Sequence, residues 1–148
     1  MRIYDGPEIY LGDVAQMPTA ALLLFACHWT QSEIQNGGLA QYFFNSTAVV
    51  APDAVDGFRA LHMLEAAEVL QQAMMVFGSP FPRDRDERLR PFNLPEIEDG
   101  RVAFRAFASA TDDQFRALDD RFWSLMADPH EGFLAKANSY ATDHRPNV

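Results

Sequence analysis

Cysteine is nearly absent from this 148-residue chain: Cys27, inside the apolar stretch Ala20 to Trp29, is the single one. That excludes an internal disulfide framework and suits a reducing compartment. Lysine is equally scarce, with Lys136 alone, and twelve basic residues face 21 acidic ones for a formal net charge of −9 at pH 7. A field of that sign repels phosphate backbones and anionic membranes, so neither direct nucleic-acid binding nor membrane binding is expected. Long hydrophobic runs are missing as well. Ala20 to Trp29 is the longest, about half of the roughly 20 residues a bilayer span needs. The opening residues MRIYDGPEIY carry no charged-then-apolar leader, so the expected location is the cytoplasm.

Recognisable catalytic constellations are lacking too. Cys27 adjoins His28 in sequence, but helical neighbours point about 100° apart, so the thiol reads as core rather than nucleophile. There is no Gly-x-Ser-x-Gly elbow and no phosphate-cradling glycine loop. His62, Glu65 and Glu68 repeat at three-residue steps, with Glu33 on another helix, but no Glu-x-x-His pair of the kind that helical bundles use for metals occurs. No cofactor and no metal are expected, and the chain reads as a binding module rather than an enzyme.

What the chain does have is helical pattern. Hydrophobic residues make up 48% of it, enough for one domain with its own core over residues 1–148. A first helix is predicted from Pro18, suited to a first helical position, to about Gln35. It stops at Asn36-Gly37-Gly38, and a short amphipathic turn from Leu39 to Asn45 turns some of Tyr42, Phe43 and Phe44 inward. Ala60, Met63, Ala67, Leu70, Met74 and Phe77 form one stripe of three- and four-residue steps, predicting a long central helix from Pro52 to Phe77. Residues 78–100, with Pro80, Pro82, Pro91 and Pro95, are the least regular. Within them Arg83 to Arg90 mixes four arginines with three acids and suits one or two helical turns. Residues 101–110 are ambiguous between strand and helix. Thr111 with Gln114 reads as a capping box ahead of a stripe through Phe115, Leu118, Phe122 and Leu125. Asp128-Pro129-His130-Glu131 announces a final helix through Tyr140 that frays by Arg145. The expected fold is an all-α, compact, single-domain bundle of about five to seven helices around one long central helix.

Two features carry the functional expectation. The first is the double-glycine corner, where Glu33, Asn36, Gln41 and Asn45 crowd Gly37 and Gly38 between apolar stretches. A helix corner leaves backbone groups that need partners, so these side chains read as staples; a small polar pocket is the alternative. The second is the acidity. Residues 53–77 hold Asp53, Asp56, Glu65 and Glu68 against Arg59, net −3, and residues 112–131 hold Asp112, Asp113, Asp119, Asp120, Asp128 and Glu131 against Arg116 and Arg121, net −4. Asp112 and Asp113 would fall in a first helical turn, and Arg116 can pair with Asp112 and Asp120. That leaves Asp56, Glu65, Glu68, Asp119 and the cluster Glu96, Glu98 and Asp99 as the free carboxylates of an acidic face.

The corner motif resembles a bacterial domain-of-unknown-function family that includes a DNA-mimic protein. Its Glu-x-x-Asn-Gly-Gly segment, followed by Gln, an aromatic pair and Asn-Ser, is matched at Glu33, Asn36, Gly37, Gly38, Gln41, Phe43, Asn45 and Ser46, with Leu39 departing where an aromatic is usual. The resemblance covers about residues 20 to 140. It implies an all-helical fold, a homodimer and, from one member, an acidic surface that imitates DNA phosphates on the basic DNA-binding face of a transcription regulator. A small-molecule or metal-dependent site around Glu33, Asn36 and His62, and acidity that serves only solubility, are the alternatives.

Overall fold

The computed structural model describes residues 1–96 and 100–146. Among them there are seven α-helices and no strand: α1 (Pro7–Val14), α2 (Thr19–Phe44), α3 (Ala51–Ala60), α4 (Leu64–Met74), α5 (Arg85–Leu89), α6 (Gly100–Ala127) and α7 (Phe133–Asp143). Short 3₁₀ turns lie at Ser46–Val50, Met75–Phe77 and Arg90–Phe92. The all-helical expectation holds, and α2 is the hub, packing against α3, α6, α5 and α7.

Gly38 explains the shape of α2. Its φ of 79° and ψ of 177° interrupt the helix, which resumes from Leu39 to Phe44 instead of ending. The kink redirects the resumed turn into the protein, so that Leu39, Tyr42, Phe43 and Phe44 are all buried. Phe43 meets Phe77, Phe81 and Phe115, while Phe44 meets Phe104 and Phe107. Such ring pairs add about 0.5–1.5 kcal/mol each beyond the area they bury. On the far side of α2, Gly57 of α3 comes so close that a Cβ there would lie 2.5 Å from Cys27 Sγ and 2.8 Å from the Leu23 carbonyl oxygen. Cys27 is fully buried at that crossing, and burial pushes its thiol pKa far up, so it is core and not a nucleophile.

The long helix expected over 52–77 is two helices. At its break His62 takes φ 59°, the His62 amide donates to the Arg59 carbonyl and the Met63 amide to the Phe58 carbonyl. That is a Schellman stop with histidine in the place glycine usually fills. The Met63 and Phe58 side chains are both buried across the stop, as that motif favours. Met63 therefore keeps its place in the apolar stripe although the backbone does not continue. Phe77, past the end of α4, meets Phe107 and Phe115, whereas Glu65 at its start meets Arg121; α4 thus runs antiparallel to α6.

The last third differs from expectation in two respects. Residues 101–110 are helical, and α6 runs unbroken through Thr111. The Thr111 side chain is buried and its hydroxyl donates to the Phe107 carbonyl at 2.9 Å, the back-bonding of a mid-helix threonine and not a cap. Ala103, Phe107, Thr111, Phe115, Phe122 and Met126 give the buried stripe. Asp112 and Asp113 accordingly sit in mid-helix, without the help of a helix N-terminus. Asp128 accepts from the amides of His130 and Glu131 at 2.8 Å, but α7 begins only at Phe133.

Candidate functional site

The side chains that point outward from α6 and α4 follow from which faces those helices bury. With Phe115 and Phe122 inward, Asp113 and Asp120, seven residues apart, share the outer face of α6, and with Asp112, Arg116 and Ala117 they line one shallow depression. On α4, Ala66, Ala67, Val69 and Leu70 face inward, which leaves Glu65 and Glu68 exposed. The two helices are antiparallel neighbours, joined across their outer edge by an ion pair between Glu65 and Arg121. Arg116 is held by Asp112 in a second ion pair. The surface formed by α4 and by α6 from Asp112 onward therefore presents Glu65, Glu68, Asp112, Asp113 and Asp120 against Arg116 and Arg121, both already paired: net −3; Arg101 and Arg105 lie on the first turns of α6.

The remaining acidic residues have separate places. Asp56 is exposed on α3 and lies 3.6 Å from Arg59. Glu96 is exposed after the Arg90–Phe92 turn, and Glu98 and Asp99 lie outside the described residues. Asp53 is drawn inward: its Oδ2 accepts from the Tyr10 hydroxyl at 2.7 Å and from Arg83 at 2.8 Å. Glu131 pairs with Lys136 at 2.5 Å.

Asp119 belongs to the glycine corner. It is half-buried, and its Oδ1 accepts from the Leu39 amide at 2.8 Å, capping the first free N–H of the resumed helix after Gly38. A Cβ on Gly38 would lie 3.1 Å from the other carboxylate oxygen, so glycine serves there both for its positive φ and for this approach. The rest of the corner is built alike. Asn45 Nδ2 donates to Glu33 Oε2 at 3.1 Å, and Gln41 lies so closely over Gly37 that a Cβ there would overlap it. Beneath, Thr30 and Tyr42 share a buried hydrogen bond of 2.8 Å. Asn36 is exposed. His62 lines two other depressions, one with Met63, Leu64, Glu65, Ala66, Leu125 and Glu131 and one with residues of α7; neither includes Glu33 or Asn36. Among the described residues no three of His, Cys, Asp or Glu are grouped as a metal ion would need.

Burial raises the Asp119 pKa; the Leu39 amide opposes that, and Asp120 and Asp112 add to it. A carboxyl whose native pKa lies above its unfolded value stabilises the fold below the unfolded value, and that contribution is lost as pH rises through the native one. Asp119→Asn keeps an acceptor for Leu39 without the buried charge. It is expected to leave stability at pH 7 unchanged or slightly higher and to remove the Asp119 contribution to the pH dependence in the acid range. Asp119→Ala orphans the amide and should cost about 1 kcal/mol. Urea unfolding of both variants at pH 4 and pH 7 measures this; a similar loss for both at pH 7 would contradict the capping role.

The mixed-charge run Arg83 to Arg90, in which the sequence suggests only one or two helical turns, holds arginines with a structural role. Arg88 is 1% exposed. Its guanidinium donates to the carbonyls of Phe43 (2.9 Å) and Asn45 (2.8 Å) at the end of α2, and to those of Pro82 (3.1 Å) and Arg83 (3.0 Å). Arg85 Nε donates to Phe44 O at 2.6 Å, and Arg83 to Val49 O at 2.6 Å. Helix carbonyls left without intrahelical partners are thus met by guanidinium groups instead of a glycine cap. Burial lowers the Arg88 pKa to about 10, which leaves it charged at neutral pH.

No helix among the described residues is long and apolar enough to cross a membrane. No curated protein and no solved structure matches the chain. Residues 15–144 match the family model described as DMP19-like protein, a span that takes in the corner and both helices of the acidic surface, and the chain belongs to the DMP19-like protein family.

Proposed function

We propose that this protein is a non-enzymatic acidic interaction protein, a DNA mimic whose α4–α6 carboxylates occupy the basic DNA-binding surface of a transcription regulator. The observation that carries the reading is the placement of Glu65, Glu68, Asp113 and Asp120 on one pair of neighbouring helices, where the arginines among them, Arg116 and Arg121, are already held by carboxylates. A DNA mimic must offer anions along a surface with few cations free to repel a basic partner. The −9 net charge acts in the same direction at long range, steering a basic partner inward. The resemblance carried by the corner motif, whose family includes a DNA mimic, supports the reading independently of charge. The protein would act in the cytoplasm and as a homodimer, for which the exposed Leu64, Trp123 and Leu134 supply apolar surface.

The test is competition. Basic DNA-binding domains of transcription regulators from the host cell, immobilised one by one, should include at least one that retains the protein, and duplex operator DNA should displace it in proportion to its concentration. A regulator that binds the protein and its DNA simultaneously would contradict mimicry. A protein that no such domain retains at low salt would leave its acidity to solubility.

A further inference from the structure

A second depression carries two arginines on its rim. Phe44, Leu89 and Leu94 form the apolar floor of a notch of about 240 Å³, and Arg85, Arg90, Asp86 and Asn93 form its rim. Several features fix its geometry. Arg85 is pinned by its Nε bond to the Phe44 carbonyl, and its guanidinium lies over the Phe44 ring, 4.5 Å from the centroid. Asn93 takes a left-handed conformation (φ 49°, ψ 48°) that ends the 3₁₀ turn and returns the chain so that Leu94 lines the same notch as Leu89. Arg90 is exposed and forms no ion pair among the described residues. Behind the wall stands Arg88, a buried cation whose bonds all go to neutral carbonyls. Asp84, Asp86 and Glu87 precede or line the notch, and the exposed Glu96 follows Leu94 by two residues. Asp84 is engaged in capping the Glu87 amide, and Asp86 stands 3.9 Å from Arg85.

Apolar floor, cationic rim and small volume together select a ligand. We propose that this notch binds a small monocarboxylate with a short apolar body, the carboxylate set between Arg85 and Arg90 and the chain on Phe44, Leu89 and Leu94. Guanidinium groups match a carboxylate in geometry as well as charge. The volume lies below the roughly 300–1,000 Å³ of pockets that hold drug-sized molecules, so a nucleotide or a large cofactor does not fit. In a protein of net charge −9 an anion needs guanidinium groups at contact distance, which Arg85 and Arg90 supply on this rim. This site is distinct from the α4–α6 surface and does not depend on the mimic reading.

The experiment is a titration of the full chain with octanoate, followed by backbone amide shifts in NMR. Octanol, which lacks the carboxylate, and acetate, which lacks the apolar body, are the controls. Saturable shifts confined to residues 85–94 and Phe44 are expected, with affinity about tenfold lower for each control and for Arg90→Gln. Arg90 is exposed and bears on no structural bond, so the variant folds. No saturation by about 10 mM octanoate, shifts centred elsewhere, octanol bound as well as octanoate, or unaltered binding in Arg90→Gln would each overturn the proposal.

Discussion

Replacing Arg88 with methionine should remove about 4 kcal/mol of stability, an effect out of proportion to a single residue in a five-residue helix. The reason is the number of groups that depend on it. Four carbonyls, from Phe43, Asn45, Pro82 and Arg83, accept from one guanidinium that is almost wholly buried. Methionine fills much of the volume but leaves those oxygens to water that reaches them poorly, and an unsatisfied buried acceptor costs about 1–3 kcal/mol. The loss is offset in part, because the buried charge and its desolvation go too. Arg88→Lys should rescue little. An ammonium offers three donors from one point, whereas these carbonyls are spread around a planar fork. Urea unfolding followed by circular dichroism measures both variants. Midpoints close to that of the parent protein would show that α2 ends without help from Arg88.

The same residue marks where the sequence stops being informative. Arg83 to Arg90 mixes charges, and such a pattern suggests one or two helical turns and nothing of burial. Nothing within eight residues says that two of the Arg88 acceptors, the Phe43 and Asn45 carbonyls, lie at the end of a helix some 45 positions earlier. The Gly37-Gly38 corner, by contrast, was legible because its cause is local: only glycine takes φ 79° without strain, and the polar residues around it are close in sequence. The break after Ala60 was hidden for a converse reason. Histidine stands where a stop usually shows glycine, and Met63 is buried on either side of the question. Thr111 and Gln114 matched a cap by spacing alone, and the core contact of Thr111 that decides the matter is not in the pattern. In the acidic surface the tally of charges was readable, but their division was not. Asp119 and Asp53 turn inward to partners 80 and 30 residues away, while Asp113 and Asp120 emerge on the outside because α6 runs through what looked like its beginning.

Neutralising that outer set gives the second large effect. In the combined variant Glu65→Gln, Glu68→Gln, Asp113→Asn and Asp120→Asn, four exposed carboxylates lose their charge. Each is worth about 0.5 kcal/mol to a facing cation. Affinity for a basic regulator domain should therefore fall by about 2 kcal/mol, or thirtyfold. The loss should appear mainly in the association rate, since exposed charges steer encounter. Arg121→Gln works in the opposite direction: it removes a cation from the surface and releases Glu65, so binding should tighten. The fold itself should survive, because all four acids are solvent-exposed and the protein carries a net charge of −9 whose self-repulsion the changes reduce.

Mimicry rests on binding through this surface by charge, and the salt dependence of that binding tests it most directly. Titration calorimetry of the parent protein and the fourfold variant against one retained regulator domain, from about 50 to 200 mM salt, should give a steep linear fall of log K with log salt for the parent and a clearly shallower one for the variant. Equal slopes and equal affinities would contradict the account and move the interaction away from the α4–α6 carboxylates.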